Sequence, residues 1–218
     1  MEYSVLIVAA GRGERMGLGY NKVFYLLKEG TTILDTTMEI FLKDDRCRQI
    51  VIVTNQNEMT MAMKKREIGR IVHVAGGETR QASVRNGLMA VTQDVVLIHD
   101  GARPWCPMKC VDDLLVAMES EDAAVLAVAV KDTIKEVEDG YIVRTIERSR
   151  LVQAQTPQAF KTKLIMEACK IAEDTNAKVT DDAQMVEMFT KTRVKIIEGS
   201  YSNIKITTKE DLKRNLRV

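Results

Sequence analysis

The chain has 218 residues, 45% of them hydrophobic and 29% charged, values near the globular average that exclude a disordered tail protein and a membrane-embedded one. Its length fits one α/β domain, taken as 1–218. Lys and Arg number 32 against 31 Asp and Glu, a formal charge of +1. No overall field therefore draws the protein to nucleic acid or an anionic membrane, and any bound anion must be met by locally gathered cations.

From the N-terminus, runs rich in Val and Ile alternate with helix-period segments. Strands are expected over 3–9, 49–54, 70–75, 94–99 and 123–129, and helices over 32–42, 58–65, 80–91 and 108–120. That alternation is the pattern of a mostly parallel sheet with helices on both faces. The longest apolar run, 123–130, is far shorter than the roughly 20 residues needed to cross a bilayer, so it reads as a buried strand. After it the order changes. Asp139-Gly140 stands between two short β-prone runs over 133–137 and 141–146, a hairpin signal. This hairpin is too polar to bury both faces and is read as an arm at 131–151 protruding from the domain. Helices over 161–173 and 181–189, a strand over 194–198 and a short helix from Thr208 complete the chain.

The first strand begins within a few residues of Met1, leaving no room for a signal peptide, so a cytoplasmic protein is expected. Cys47, Cys106, Cys110 and Cys169 form no C-x-x-C pair and are read as reduced thiols. With only His73 and His99, and no His/Cys cluster of zinc spacing, zinc chemistry is not expected. Met59, Met61 and Met63 could form an exposed adaptable surface, with core packing or a mobile loop the favoured reading.

Chemistry is expected at the carboxyl ends of the strands. The first strand runs into Ala9-Ala10-Gly11-Arg12-Gly13-Glu14-Arg15-Met16-Gly17, with Lys22 following. Glycines there let backbone N–H groups approach an anion, and three cations around one turn favour a polyphosphate. The spacing is neither that of a P-loop nor that of a dinucleotide fingerprint. Asp100, in His99-Asp100-Gly101-Ala102-Arg103-Pro104, should project into the same crevice as a candidate Mg²⁺ carboxylate, with His99 a core or supporting residue. Gly76-Gly77-Glu78-Thr79-Arg80 with Ser83 repeats the loop-to-helix logic, though alone it could be only a helix entry. The segments 155–158, 180–183 and 203–207 add hydroxyl and basic groups. Thr180 is a plausible helix N-cap, and Lys205 could be the exposed side of a strand.

Taken together, A-A-G-x-G-x-R-M (9–16) with Lys22, G-G-x-x-R-x-x-S-V-x-N-G (76–87), H-D-G-A-R-P (99–104), D-T-I-K (132–135), Q-T-P-Q-x-F (155–160), T-D-D-A (180–183) and N-I-K-I-T (203–207) resemble the 2-C-methyl-D-erythritol 4-phosphate cytidylyltransferase family. Gly101 departs from the Ala more common there, and Glu78 stands where Asp is also common. The resemblance implies a Rossmann-like nucleotidyltransferase fold and transfer of a cytidylyl group from CTP in the non-mevalonate isoprenoid route. It implies Arg15, Lys22 and Lys205 as catalytic, and Ala9, Ala10, Gly11, Gly13, Gly77, Glu78, Ser83 and Asp100 as CTP-binding. Arg103, Thr133, Arg148, Thr156 and Thr180 would bind the acceptor, Asp100 would hold Mg²⁺, and the arm would pair two copies in a homodimer. Ribitol-5-phosphate cytidylyltransferase shares many of these motifs, and a CTP-binding protein without turnover is the alternative of another class.

Overall fold

The computed structural model describes residues 1–11, 13, 16–28, 30–63 and 69–214. In chain order the first half contains β1 (Tyr3–Val8), β2 (Leu26–Lys28), β3 (Thr31–Thr32), α1 (Ile33–Leu42), β4 (Cys47–Thr54), α2 (Met59–Met63), β5 (Ile71–Ala75), α3 (Arg80–Leu88), β6 (Val95–Asp100) and α4 (Met108–Ala117). The second contains β7 (Ala123–Ala129), β8 (Ile134–Glu138), β9 (Tyr141–Ile146), β10 (Val152–Lys161), α5 (Thr162–Asp174), α6 (Asp182–Phe189), β11 (Lys195–Glu198) and α7 (Lys209–Arg214). The sheet has the order β11-β7-β10-β6-β1-β4-β5. Only β10 runs against its neighbours, pairing antiparallel with both β6 and β7.

Side-chain alternation along the strands builds two cores. Val5, Ile7, Ile50, Ile52 and Leu97 face α1 and α4, while Leu6, Val51, Val53, Val96 and Ile98 face α3, α5 and α6. Thus the expected helices on both faces are present. Capping fixes where several begin. Thr32 and Asp35 exchange side-chain-to-backbone bonds at the start of α1, and Thr79 Oγ accepts from Ala82 N before α3.

Sequence periodicity overruns two helix ends. Residues 89–91 and 119–120 close with tighter i to i+3 bonds, such as Ala90 N to Gly87 O and Ser120 N to Ala117 O, so α3 and α4 stop earlier than expected. β10 was not expected at all. Its glutamines and Pro157 hide a strand whose pairing with β7 shifts register between Ala154 and Gln158. The reading of Met59, Met61 and Met63 is corrected as well: Ala62 is the residue that α2 buries, whereas Met61 and Met63 are exposed. Residues 64–68 of the expected helix lie outside the described residues. All four cysteines are buried and free.

The arm is the expected two-residue hairpin. Asp139 and Gly140 both take positive φ (50° and 84°), the turn that matches strand twist. β8 and β9 pair with each other in a separate two-stranded sheet. Val137, Tyr141, Ile142 and Val143 are all exposed on it.

Close packing of α3 on the sheet depends on Gly87, where a Cβ would stand 2.7 Å from both Leu6 Cδ1 and Val53 Cγ2. Those side chains are fully buried. Gly87→Val is therefore expected to lower unfolding stability by about 1–3 kcal/mol through overpacking, measured by denaturant titration; an unchanged midpoint would contradict this packing.

Candidate active site

β1, β5 and β6 end at one edge of the sheet, and the loops that follow them enclose a cleft of about 670 Å³. Ala9, Ala10, Gly11, Gly13, Lys22, Gly77, Glu78, Ser83, Asp100 and Lys205 all line it. Five separated sequence segments thus meet at the strand ends, as expected for an open α/β sheet. Arg15 lies outside the described residues.

Two of the walls touch at a glycine. A Cβ on Gly76 would fall 2.6 Å from Ala10 Cβ, so the loop after β5 can lie against the loop after β1 only without a side chain. Ser83 then anchors this second loop. Its hydroxyl accepts from Gly77 N (3.1 Å) and donates to Thr79 O (2.9 Å). The hydroxyl borders the cleft but already serves the loop.

Asp100, the last residue of β6, is the electrostatic centre. Lys205 Nζ and Arg103 Nε approach its Oδ2 at 3.0 and 3.2 Å. Burial alone would raise this carboxyl, but Lys205, Arg80 and Arg103 outweigh it and hold the group well below the usual carboxylate range. Asp100 is therefore an anion at neutral pH. Lys205 is not on a strand; its segment is tied to the β6 loop by Ile206 N to Ala102 O (2.8 Å) and by Arg103 Nη1 to Asn203 O (2.7 Å). Among the described residues no group of three or more His, Cys, Asp or Glu could hold a metal ion. A cation at the end of β6 would meet the Asp100 carboxylate, which Lys205 and Arg103 approach through Oδ2. That donor set suits Mg²⁺, which takes one or two carboxylates and fills its shell with phosphate oxygens and water.

A directed relay supports Asp100. Its backbone N–H donates to Thr156 Oγ (3.0 Å), that hydroxyl meets His99 Nδ1 (3.1 Å), and His99 Nε2 meets Arg103 O (3.1 Å). Because a carbonyl can only accept, Nε2 carries the proton and Nδ1 accepts from Thr156. His99 is fully buried, and burial pushes its pKa down to about 4. It is a neutral bracket for the 100–103 loop, in line with the supporting role read from the sequence.

Other expected acceptor residues are spread more widely. Thr156 is buried beneath the site, and Thr133, Arg148 and Thr180 are exposed and do not line the cleft. Arg148 Nη1 donates to Lys131 O (2.6 Å) at the base of the arm. Thr180 is not the N-cap of α6. Asp181 is, accepting from Gln184 N (2.9 Å), whereas the Thr180 hydroxyl turns to Gln184 Oε1. Asp181 has the extended backbone of an N-cap (φ −148°) and its side chain takes the bond from the helix.

The sequence reading had no pairing for Arg80. Its guanidinium meets both oxygens of Asp182, at 2.8 and 2.6 Å, joining the N-termini of α3 and α6 at the cleft. Asp182 is wholly buried, which pushes its carboxyl up against the pull of Arg80. The two parallel bonds make one bidentate, charge-assisted pair. Nothing in the sequence marks two residues 102 positions apart as partners.

The relay carries a pH signature. The unfolded His99 titrates near its ordinary 6.5 and the folded one near 4, so the unfolded chain binds the extra proton between these values. Stability should fall as pH drops from about 6.5 towards 4, by about 3 kcal/mol from this group. Unfolding titrations of wild type and His99→Gln across pH 4–7 are expected to show a shallower loss in the variant; parallel curves would contradict a buried neutral His99.

Comparison with known proteins follows the same outline. The family model described as IspD: 2-C-methyl-D-erythritol 4-phosphate cytidylyltransferase matches residues 3–216. The Geobacillus kaustophilus enzyme of that name is 46% identical over 217 residues, covering 97% of this chain and 94% of its own. Crystal structures of the enzymes from Francisella tularensis and Thermus thermophilus superpose with TM-scores of 0.84 and 0.81 at 34% and 33% identity. They cover 98% of this chain, and 97% and 96% of theirs. The alternating strands, the glycine-walled cleft and these matches agree: the chain belongs to the 2-C-methyl-D-erythritol 4-phosphate cytidylyltransferase family.

Proposed function

We propose that the protein transfers a cytidylyl group from CTP to 2-C-methyl-D-erythritol 4-phosphate, giving 4-diphosphocytidyl-2-C-methyl-D-erythritol and pyrophosphate in the non-mevalonate isoprenoid pathway. The observation that carries this reading is the convergence of the glycine loop, Lys22, Asp100 and Lys205 on one cleft, in a chain whose relatives bear that enzyme's name.

The acceptor phosphate oxygen attacks the α-phosphorus of CTP in line. A new P–O bond forms, the α–β bridging P–O bond breaks, and pyrophosphate leaves with the electron pair. The nucleophile is already an anion at neutral pH, so no side chain need remove a proton. The protein's task is to bring two polyanions together and to neutralise charge as it develops. Ala10, Gly11 and Gly13 wrap the triphosphate, with backbone N–H groups as donors, and Ala9, whose own N–H is bonded to Val53 O, sets the entry of that loop. Gly77, Glu78 and Ser83 form the wall for the base. Arg15 and Lys22 stabilise the reacting phosphates, and Lys205 orients the attacking group.

Asp100 is the residue that would hold Mg²⁺, and the ion when bound supplies positive charge to the nucleotide phosphates. Thr156 acts through Asp100, since its hydroxyl is already committed to Asp100 N and His99. Arg103, tied to Asp100 and Asn203, braces the acceptor side. The whole chain works as one domain. Its arm, with Val137, Tyr141, Ile142 and Val143 exposed, reaches a second copy and brings Thr133 and Arg148 to that copy's cleft. Thr180 completes the acceptor site from the entry of α6. Membrane attachment and nucleic acid have no part in this reading; no helix among the described residues is long and apolar enough to cross a membrane, and the action is cytoplasmic.

The test is pyrophosphate release from CTP and Mg²⁺ with 2-C-methyl-D-erythritol 4-phosphate, with ribitol 5-phosphate in parallel. Release is expected only with the first; release only with the second, or with neither, would overturn the proposal. Lys22→Ala and Arg15→Ala should each lower kcat by about 10²-fold or more, and near-normal turnover in a folded variant would remove that residue from the mechanism.

A further inference from the structure

We propose that Asn21 is a positioning residue for this transfer: with Glu58 it closes the glycine loop into a ring and sets where Lys22 stands. The proposal rests on the cytidylyl-transfer reading above.

Asn21 is almost wholly buried, and every polar atom of its side chain is used. Its Nδ2 donates to Ala9 O at 2.7 Å and to Glu58 Oε2 at 2.9 Å, while Oδ1 accepts from Val23 N at 3.3 Å. Turning the amide over would set its oxygen against a carbonyl and a carboxylate, so the orientation has one solution. Ala9 is the residue where the chain leaves β1, and Asn21 caps the 3-10 turn Lys22–Phe24. One side chain thus joins the entry of the loop to its exit.

Two further contacts make that seam rigid. At Gly13 (φ +68°) an added Cβ would stand 2.8 Å from Lys22 N and 3.2 Å from Tyr20 O, so the backbone at Gly13 lies directly on the segment that Asn21 holds. Glu58 comes from the turn after β4 and also accepts from Asn55 Nδ2 at 3.2 Å. Ala9 N in turn donates to Val53 O at 2.8 Å. Both ends of the ring are therefore referred to β4, a central strand. The bond to a carboxylate is charge-assisted and stronger than a neutral one.

Lys22 follows Asn21 directly, so the backbone direction fixed at the seam decides where the ammonium can reach. The base wall at 76–83 belongs to a different loop, which meets this one at Gly76 and Ala10. The seam carries the triphosphate loop as well as Lys22, so loosening it should displace a transition-state donor and weaken CTP binding to a smaller degree. Misplacement of about 1 Å can cost about 10²-fold in rate.

The experiment is steady-state kinetics with CTP and 2-C-methyl-D-erythritol 4-phosphate on wild type, Asn21→Asp and Asn21→Asp/Glu58→Gln, with CTP binding by calorimetry and melting temperature for each. Asn21→Asp removes both donated bonds and faces one carboxylate with another. It is expected to lower kcat by about tenfold or more, with a smaller loss of CTP affinity. Glu58→Gln in that background restores a donor across the seam and should recover at least about threefold in kcat. A merely structural role would lower melting temperature without this split. A folded Asn21→Asp with wild-type kcat would overturn the proposal, as would equal falls in kcat and CTP affinity without recovery in the double variant. If Asn21→Asp does not fold, Asn21→Ser, which is uncharged and too short to bridge both acceptors, carries the same expectation. An inactive wild type would instead fail the cytidylyl-transfer reading, whereas an active wild type with unaffected variants fails this one.

Discussion

The site depends on one buried anion. Asp100 sits at the end of a central strand where burial should favour the neutral acid, yet Lys205, Arg80 and Arg103 keep it charged. A carboxylate paid for in desolvation returns something only if it organises its surroundings. Here it fixes Lys205 and Arg103 directly, and its backbone N–H ends the relay through Thr156 and His99. Removing the charge would leave Lys205 and Arg103 without the carboxylate oxygen that both approach.

The fold makes this arrangement possible through one reversed strand. β10 runs antiparallel between β6 and β7, bringing Gln155, Thr156 and Gln158 alongside the end of β6. Each then reaches a different segment. Gln155 binds both the N–H and the C=O of Ser200, Thr156 binds Asp100 and His99, and Gln158 binds Asp181 and Ala183 N. The Arg80–Asp182 pair closes the same circuit from the other side of the cleft. Cleft side chains carried on loops are thereby held by buried hydrogen bonds rather than by the loops' own stiffness.

Much of this was legible in the residues. Strict alternation of Val/Ile runs and amphipathic segments announced the parallel strands, and Asp139-Gly140 announced the arm and its positive-φ turn. The glycines next to Ala10 and before Arg80 marked the cleft, because backbone must come close there. What escaped were features made by tertiary contact. β10 lacks the apolar signal of a central strand and contains a proline, and only its neighbours show it to be one. The N-cap expected at Thr180 falls one residue later, at Asp181, whose side chain accepts from Gln184 N. The partners of Arg80 and Asn21 lie 102 and 37 residues away, beyond any local pattern. Lys205 looked like half of an alternating strand, whereas its contact with Asp100 comes from a loop.

The most direct test of the central role given to Asp100 is calorimetric titration of CTP into wild type and Asp100→Asn, with and without Mg²⁺. The account expects Mg²⁺ to tighten CTP binding to wild type by about tenfold or more, a typical coupling between two ligands, and expects the variant to lose that increment. An Asp100→Asn protein that keeps its fold and the full Mg²⁺ increment would contradict it.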